Sequence, residues 1–234
     1  TIVVRPENAP HYTRSLSILG VYIEGLHASR VLTPAESGAA IPFGLALGDV
    51  LVEEKVYGYE ELQWGSEEMV KRVNLDYPLV MRLHTTAAWL ALPPGLGGWL
   101  AQRPDMPLAD APGAAETPDG DALLAQGLHG VEHLLTGVMP LLVMCDRRDV
   151  DGYHHPRLPG LDAPAVFVYD SYEGGIGLAE VAFRRIVELL HLAHDTVARC
   201  PCREGCPSCI QSGSCRQRNE MLHKPAARAI LDLL

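Results

Sequence analysis

The chain has 234 residues, 47% hydrophobic and 21% charged, with a formal net charge of −10, six cysteines and a mean hydropathy near zero. This composition excludes a disordered, collagen-like or disulfide-dense scaffold and implies one or two globular domains, each able to bury a core. No apolar run reaches the roughly 18 residues of a membrane helix, and no basic start with a short hydrophobic segment marks secretion, so a cytoplasmic protein with no membrane partner is expected.

Thr1 leads at once into a strand-like run, Ile2 to Arg5, which reads as a piece of a longer protein. Residues 1–92 are β-rich: the runs Ser15 to Ile23, Asp49 to Tyr59 and Val70 to Leu83 carry β-branched and aromatic residues in partial alternation, interrupted by Gly20, Gly48, Gly58 and Gly65. Thr85 to Leu92 continues as a strand or opens a short helix. Residues 93–120 shift to Pro, Gly, Ala and Asp, the composition of a linker or long loop, with Trp99 and Leu100 anchoring its first part.

Residues 121–234 alternate helical and strand patterns. A helix is predicted from Asp121 to about Thr136, with Leu124, Leu128, Val131 and Leu135 on one stripe. A polar loop from Asp146 to Pro164 follows, then a buried strand at Ala165 to Tyr169, a Gly-rich turn at Asp170 to Gly177, and an amphipathic helix over Leu178 to Ala198. Pro225 falls near the first turn of a final helix ending at Leu234. The predicted fold is α+β: a β-rich N-terminal part, then an α/β domain finished by a four-cysteine zinc knuckle.

The knuckle is Cys200-Pro-Cys202-Arg-Glu-Gly-Cys206-Pro-Ser-Cys209, with Cys215 six residues beyond. Zinc takes four thiolates at tetrahedral angles, and a tight Cys206 to Cys209 turn supplies two of them. Cys200, Cys202, Cys206 and Cys209 are favoured, with Cys215 as the alternative fourth ligand. Disulfides are disfavoured in a reducing compartment, and five thiols within sixteen residues are too dense for inert packing or a simple redox pair. Structural zinc is favoured over an iron–sulfur cluster; fully cysteine-ligated, it has no open position and organises its segment without doing chemistry.

The acidic total hides an asymmetry. Residues 1–92 carry 7 basic and 11 acidic groups, residues 93–198 carry 6 and 15, and residues 199–228 carry 6 and 2. The basic stretch coincides with the cysteines, so Arg199, Arg203, Arg216 and Arg218, with Lys224, are candidates to meet phosphate. Gly174 and Gly175, in a turn that opens a helix, place backbone amides where a phosphate or an acidic side chain would bind. Two other groupings are weaker. His129 and His133 stand at i and i+4, but the HExxH order is absent and core-lining is the simpler reading; Asp146, Asp149, Asp151, His154 and His155 suit a solvated loop better than a hydrolytic metal site. Trp89 and Trp99 read as core, Trp64 as exposed.

Val166 to Asp170, followed by Ser-Tyr-Glu-Gly174-Gly175-Ile-Gly177, a helix, the CPCREGCPSCIQSGSC run, Asn219 and Lys224, resembles the zinc-binding C-terminal domain, formerly DUF1998, of MrfA-like superfamily 2 DNA helicases. Gly48 to Tyr59 and Thr85 to Leu90 resemble the region preceding that domain. The resemblance implies a C-terminal, DNA-guiding accessory part of an ATP-dependent helicase or translocase, working 3′ to 5′ in DNA repair. Its implied partners are a DNA single strand or duplex junction and its own upstream motor domains. The chain itself has no GxxxxGK[ST] loop and no DExH box, and none of Lys55, Lys71 and Lys224 follows a glycine loop, so ATP and Mg2+ belong to motor domains outside it. A zinc-stabilised module that recruits or docks repair proteins is the alternative.

Overall fold

The computed structural model describes residues 11–66, 68–106 and 119–234. The strand expected at Ile2 to Arg5 and residues 107–118 of the Pro/Gly-rich stretch lie outside them. Strands β1 (His11–Ile23), β2 (Ala28–Leu32), β3 (Phe43–Gln63) and β4 (Met69–Ala91) come first, with a one-turn helix α1 (Pro34–Ser37) between β2 and β3. Then follow α2 (Leu96–Ala101), α3 (Gly120–Leu142), β5 (Val150–Leu158), β6 (Ala163–Asp170), α4 (Leu178–Arg184), α5 (Ile186–Arg199) and α6 (Lys224–Leu231). The strands join in the order β1-β3-β4-β6-β5, with β2 added antiparallel on β3.

Two compact units are distinguished: Thr1–Val21 with Val52–Leu83, and Tyr22–Leu51 with His84–Leu234. The β-rich N-terminal stretch therefore contributes to both. The first unit has a narrow core at Val21, Val52 and Leu62, and polar ties replace apolar packing elsewhere. Arg14 pairs with Glu60, Ser17 donates to Glu54 at 2.6 Å, and Glu53 receives both Arg82 and Lys55 at 2.8 Å. Trp64 is 64% exposed and meets Tyr12, ring to ring, at 4.7 Å.

The second unit is built around α3. Its stripe of Leu128, Val131, Leu134, Leu135 and Met139 is buried, and it packs against β5, β6, α2, α5 and α6. Strand β6, central between β4 and β5, is buried on both faces from Pro164 to Asp170, which explains its near-continuous apolar sequence. Trp89 is buried and stacks on Phe167 at 5.3 Å, whereas Trp99 on α2 is only half-buried beneath the Arg103 guanidinium. The close approach of α6 to α3 depends on glycine: a Cβ on Gly127 would stand 2.8 Å from Ile230, and one on Gly130 would stand 2.7 Å from the Ala227 Cβ.

Three elements differ from expectation. The loop predicted over Asp146 to Pro164 contains strand β5, an edge strand, which tolerates Pro156 at the bulge between His155 and Leu158. The single helix predicted over Leu178 to Ala198 is two, broken at Arg185, whose backbone leaves helical geometry and whose guanidinium bonds the Leu142 carbonyl and Glu188. Helix α3 runs past Thr136 to Leu142 with Pro140 inside its last turn, and the helix ends two residues after it.

Candidate metal centre

Helix α5 delivers Cys200 as its C-terminal cap, and Pro201 prevents the helix from continuing. The chain then turns back through Gly205, at φ 122°, where a Cβ would lie 2.6 Å from Ile210. The Cys206-Pro-Ser-Cys209 turn closes with the Cys209 amide donating to the Cys206 carbonyl at 2.9 Å, while the Cys206 amide points at the Cys209 sulfur at 3.3 Å. Four sulfurs are thereby gathered. Sγ of Cys200 is 3.5 Å from those of Cys202 and Cys206, Sγ of Cys209 is 3.5 Å from that of Cys202, and Cys206 to Cys209 is 3.8 Å. A tetrahedral zinc with Zn–S near 2.3 Å sets its sulfurs about 3.8 Å apart, so this donor set fits structural Zn2+ with a small expansion.

The surroundings favour thiolate at Cys202. Lys224 is buried, and its ammonium donates to the carbonyls of Cys200 and Cys202 at 2.7 Å each and to the Cys202 sulfur at 3.2 Å. Burial opposes ionisation of Cys202, yet the bond from Lys224 and those from the other thiols prevail and bring it down to about 6. Burial instead pushes Cys209 up to about 12. A divalent ion supplies the positive charge that lets a buried thiol such as Cys209 ionise as a ligand.

Cys215 stands elsewhere. Its sulfur lies 3.4 Å from Nε2 of His129 and, with His133, forms a second ligand-type group apart from the four thiols. The i, i+4 histidines and the leftover cysteine stand far apart in the sequence; the fold unites them. Of the candidate phosphate contacts, Arg199, Arg203, Arg216 and Arg218 are exposed, Arg203 beside Cys202. Arg199 pairs with Asp195, Arg216 with Asp151 and Arg218 with Glu220, at 2.7 to 2.8 Å. Lys224, as described, faces the cysteines instead of solvent.

At the glycine turn the acidic ligand is internal. Asp170 accepts from the amides of Ile176, Gly177, Leu178 and Ala179 at 2.5 to 3.2 Å, while the Gly174 and Gly175 amides bond the carbonyls of His84 and Tyr172. The Gly174 and Gly175 amides are thus engaged within the chain, where the sequence suggested a phosphate contact. Gly175 has φ 75°, and a Cβ there would stand 2.8 Å from Thr86 Oγ1; Thr85 donates to the carbonyls of Asp170 and Tyr172. The Thr85-Thr86 motif and the glycine turn form one packed unit. The acidic group at 146–155 does not converge on a metal: Asp146 and Asp149 cap their own turn, Asp151 holds Arg216, and His154 is bonded to Glu132 at 2.5 Å.

Arg147 was not singled out by sequence. It donates to Val150, Thr136 and Ser212, tying β5 and α3 to the segment after the cysteines, and lines a cavity of about 850 Å³ with Arg148, Arg216 and Cys209. Its signal was weak, an arginine pair within an acidic run. Among the described residues no helix is long and apolar enough to cross a membrane.

The family model described as MrfA Zn-binding domain matches residues 131–210, from α3 through the four cysteines. The chain is 31% identical over 166 residues to an uncharacterized ATP-dependent helicase, YprA, of Bacillus subtilis (strain 168), covering 71% of this chain and 19% of that protein. It is 36% identical over 110 residues to the uncharacterized protein MJ1572.1 of Methanocaldococcus jannaschii, covering 46% of this chain and 98% of that protein. Among solved structures, the DUF1998 helicase MrfA bound to DNA superposes with a TM-score of 0.62 at 25% identity, covering 97% of this chain and 26% of that one. With the four-sulfur cluster ending in the matched range and a relative 36% identical that the chain covers almost entirely, the chain belongs to the MrfA Zn-binding domain family.

Proposed function

We propose that this chain is the zinc-stabilised, DNA-guiding C-terminal accessory part of an ATP-dependent superfamily 2 DNA helicase or translocase, of 3′ to 5′ polarity and acting in DNA repair in the cytoplasm. The supporting observation is the likeness over 97% of its length to MrfA, a helicase whose structure was solved bound to DNA. Cys200, Cys202, Cys206 and Cys209 hold zinc in a closed set that offers no position to a reacting water, so the ion fixes geometry. The segment it fixes presents Arg199, Arg203, Arg216 and Arg218 toward a DNA strand or junction, while ATP and Mg2+ act in the upstream motor domains. The arginines bring local positive charge to an otherwise acidic chain, and three keep a carboxylate partner that a phosphate must displace.

Such contacts are weak individually and salt-dependent collectively. Titrating labelled single-stranded and junction DNA across a salt series is expected to give a log-affinity slope that falls by about 1 for each arginine removed, uniformly across sequences. Lys224→Gln should leave the slope unchanged. Absence of binding at low salt would overturn the reading.

A second reading, a docking module for repair proteins or for the motor itself, is favoured by one observation. On β4, Tyr77, Leu79 and Met81 alternate onto one face of the strand and are 59% to 85% exposed, a run of large apolar side chains facing water.

A further inference from the structure

We propose that His129, His133 and Cys215 form a second metal site, which takes a zinc-class transition ion through these three side chains. It does not depend on the reading of the four-thiol site. The three ligand atoms lie within 4.8 Å of one another, and His129 Nε2 is already 3.4 Å from the Cys215 sulfur. Zinc at about 2.1 Å from nitrogen and about 2.3 Å from sulfur sets such atoms roughly 3.4 to 3.6 Å apart, so shifts of about an ångström or less close the set on an ion.

The outer partners are those a metal-binding histidine needs. Nδ1 of His129 donates to the Met221 carbonyl at 3.2 Å, and Nδ1 of His133 donates to the Ile210 carbonyl at 2.6 Å. A carbonyl only accepts, so each Nδ1 carries the proton and each Nε2 keeps its lone pair. This is the tautomer in which imidazole ligates through Nε2, with its other nitrogen held by an acceptor. Burial supports the neutral form, bringing His129 down to about 4 and lowering His133 as well. The Cys215 sulfur accepts from the Asn219 amide at 3.2 Å, a bond that favours thiolate, while burial pushes its thiol up. Binding of the ion therefore releases one proton, from Cys215, to solvent. No fourth ligand is gathered among the described residues; His154 stacks on His129 at 4.8 Å, but its Nδ1 is engaged by Glu132.

The segment to be fixed explains why a tie is useful here. Arg218, Asn219 and Met221 all adopt left-handed backbone, at φ 56° to 60°, a conformation that is strained for residues other than glycine. Of the two carbonyl partners, Met221 lies in this stretch and Ile210 precedes it. A metal on His129, His133 and Cys215 pins it to α3 and, with it, Arg216 and Arg218.

The test uses the intact chain, equilibrated with excess Zn2+, passed over a weak chelating resin, and examined by elemental analysis and zinc-edge X-ray absorption. Two zinc ions per chain are expected, with imidazole scattering beside a four-sulfur shell. Cys215→Ser is expected to reduce the content to one and to abolish the imidazole signal while the sulfur shell persists. One zinc per chain with an all-sulfur shell in the unsubstituted protein would overturn the proposal, whether or not the variant folds. Loss of the four-sulfur shell alone would count against the other site, so the two failures are distinguishable.

Discussion

The ammonium of Lys224 sits where three acceptors converge, two carbonyls and the Cys202 sulfur, so its charge is consumed inside the zinc knuckle. Its sequence context, a lone lysine after a basic run, suits a phosphate contact equally well; only burial tells the two apart. Outer partners of metal ligands typically contribute 10- to 100-fold in affinity, and Lys224→Met is expected to weaken zinc binding by about that factor, measured by competition with a chromophoric chelator. Asp170 carries a different load. Fully buried, it accepts four amides at the start of α4 and has no other side chain to replace it. Asp170→Asn offers one acceptor oxygen where two were used and places an amide group against backbone N–H donors, so a loss of about 2 to 3 kcal/mol in denaturant unfolding is expected. A loss below about 0.5 kcal/mol would contradict the capping role.

At the scale of elements, α3 was legible because its stripe repeats at helical spacing and is buried as such, and β6 was legible because a strand covered on both faces reads as continuous apolar sequence. The break at Arg185 was not, since the amphipathic pattern runs through it and the interruption comes from a tertiary bond to Leu142. Nor was β5, whose Asp, His and Pro residues are affordable only at an edge. Two glycines of α3 separate propensity from packing. Gly137 is exposed with open space where a Cβ would go, so Gly137→Ala is expected to stabilise the protein by about 0.5 to 1 kcal/mol. At Gly130 the same gain is opposed by a Cβ contact of 2.7 Å with Ala227, and overpacking of about 1 to 3 kcal/mol should reverse the sign. Thermal unfolding of both variants checks this: stabilisation at both positions would mean that α6 yields freely.

For the whole molecule, the donor set was legible to the extent that cysteine density and the tight turn mark a zinc knuckle; the partition of five cysteines into four plus one was not, because it depends on α3 bringing histidines to Cys215 from far along the chain. The knuckle also caps a core. Cys200, Cys202 and Cys206 pack against it, α6 starts at Lys224 on the cluster, and the Leu233 carbonyl receives the amides of Ala40 and Ile41. Zinc bound only by the folded form contributes its binding free energy to folding, about 10 kcal/mol or more in small zinc domains at neutral pH. Stripping the metal leaves thiols of which Cys202, bonded by Lys224, ionises readily. Chelation under reducing conditions is therefore expected to abolish amide-exchange protection from Cys200 through α6 and to weaken it in the facing turns of α3. The strand segments of the unit formed by Thr1–Val21 and Val52–Leu83, which share no residue with the knuckle's core, should retain theirs. Uniform loss of protection would show the metal to be coupled to the entire sheet, and unchanged protection in α6 would show that α3 holds it without the ion.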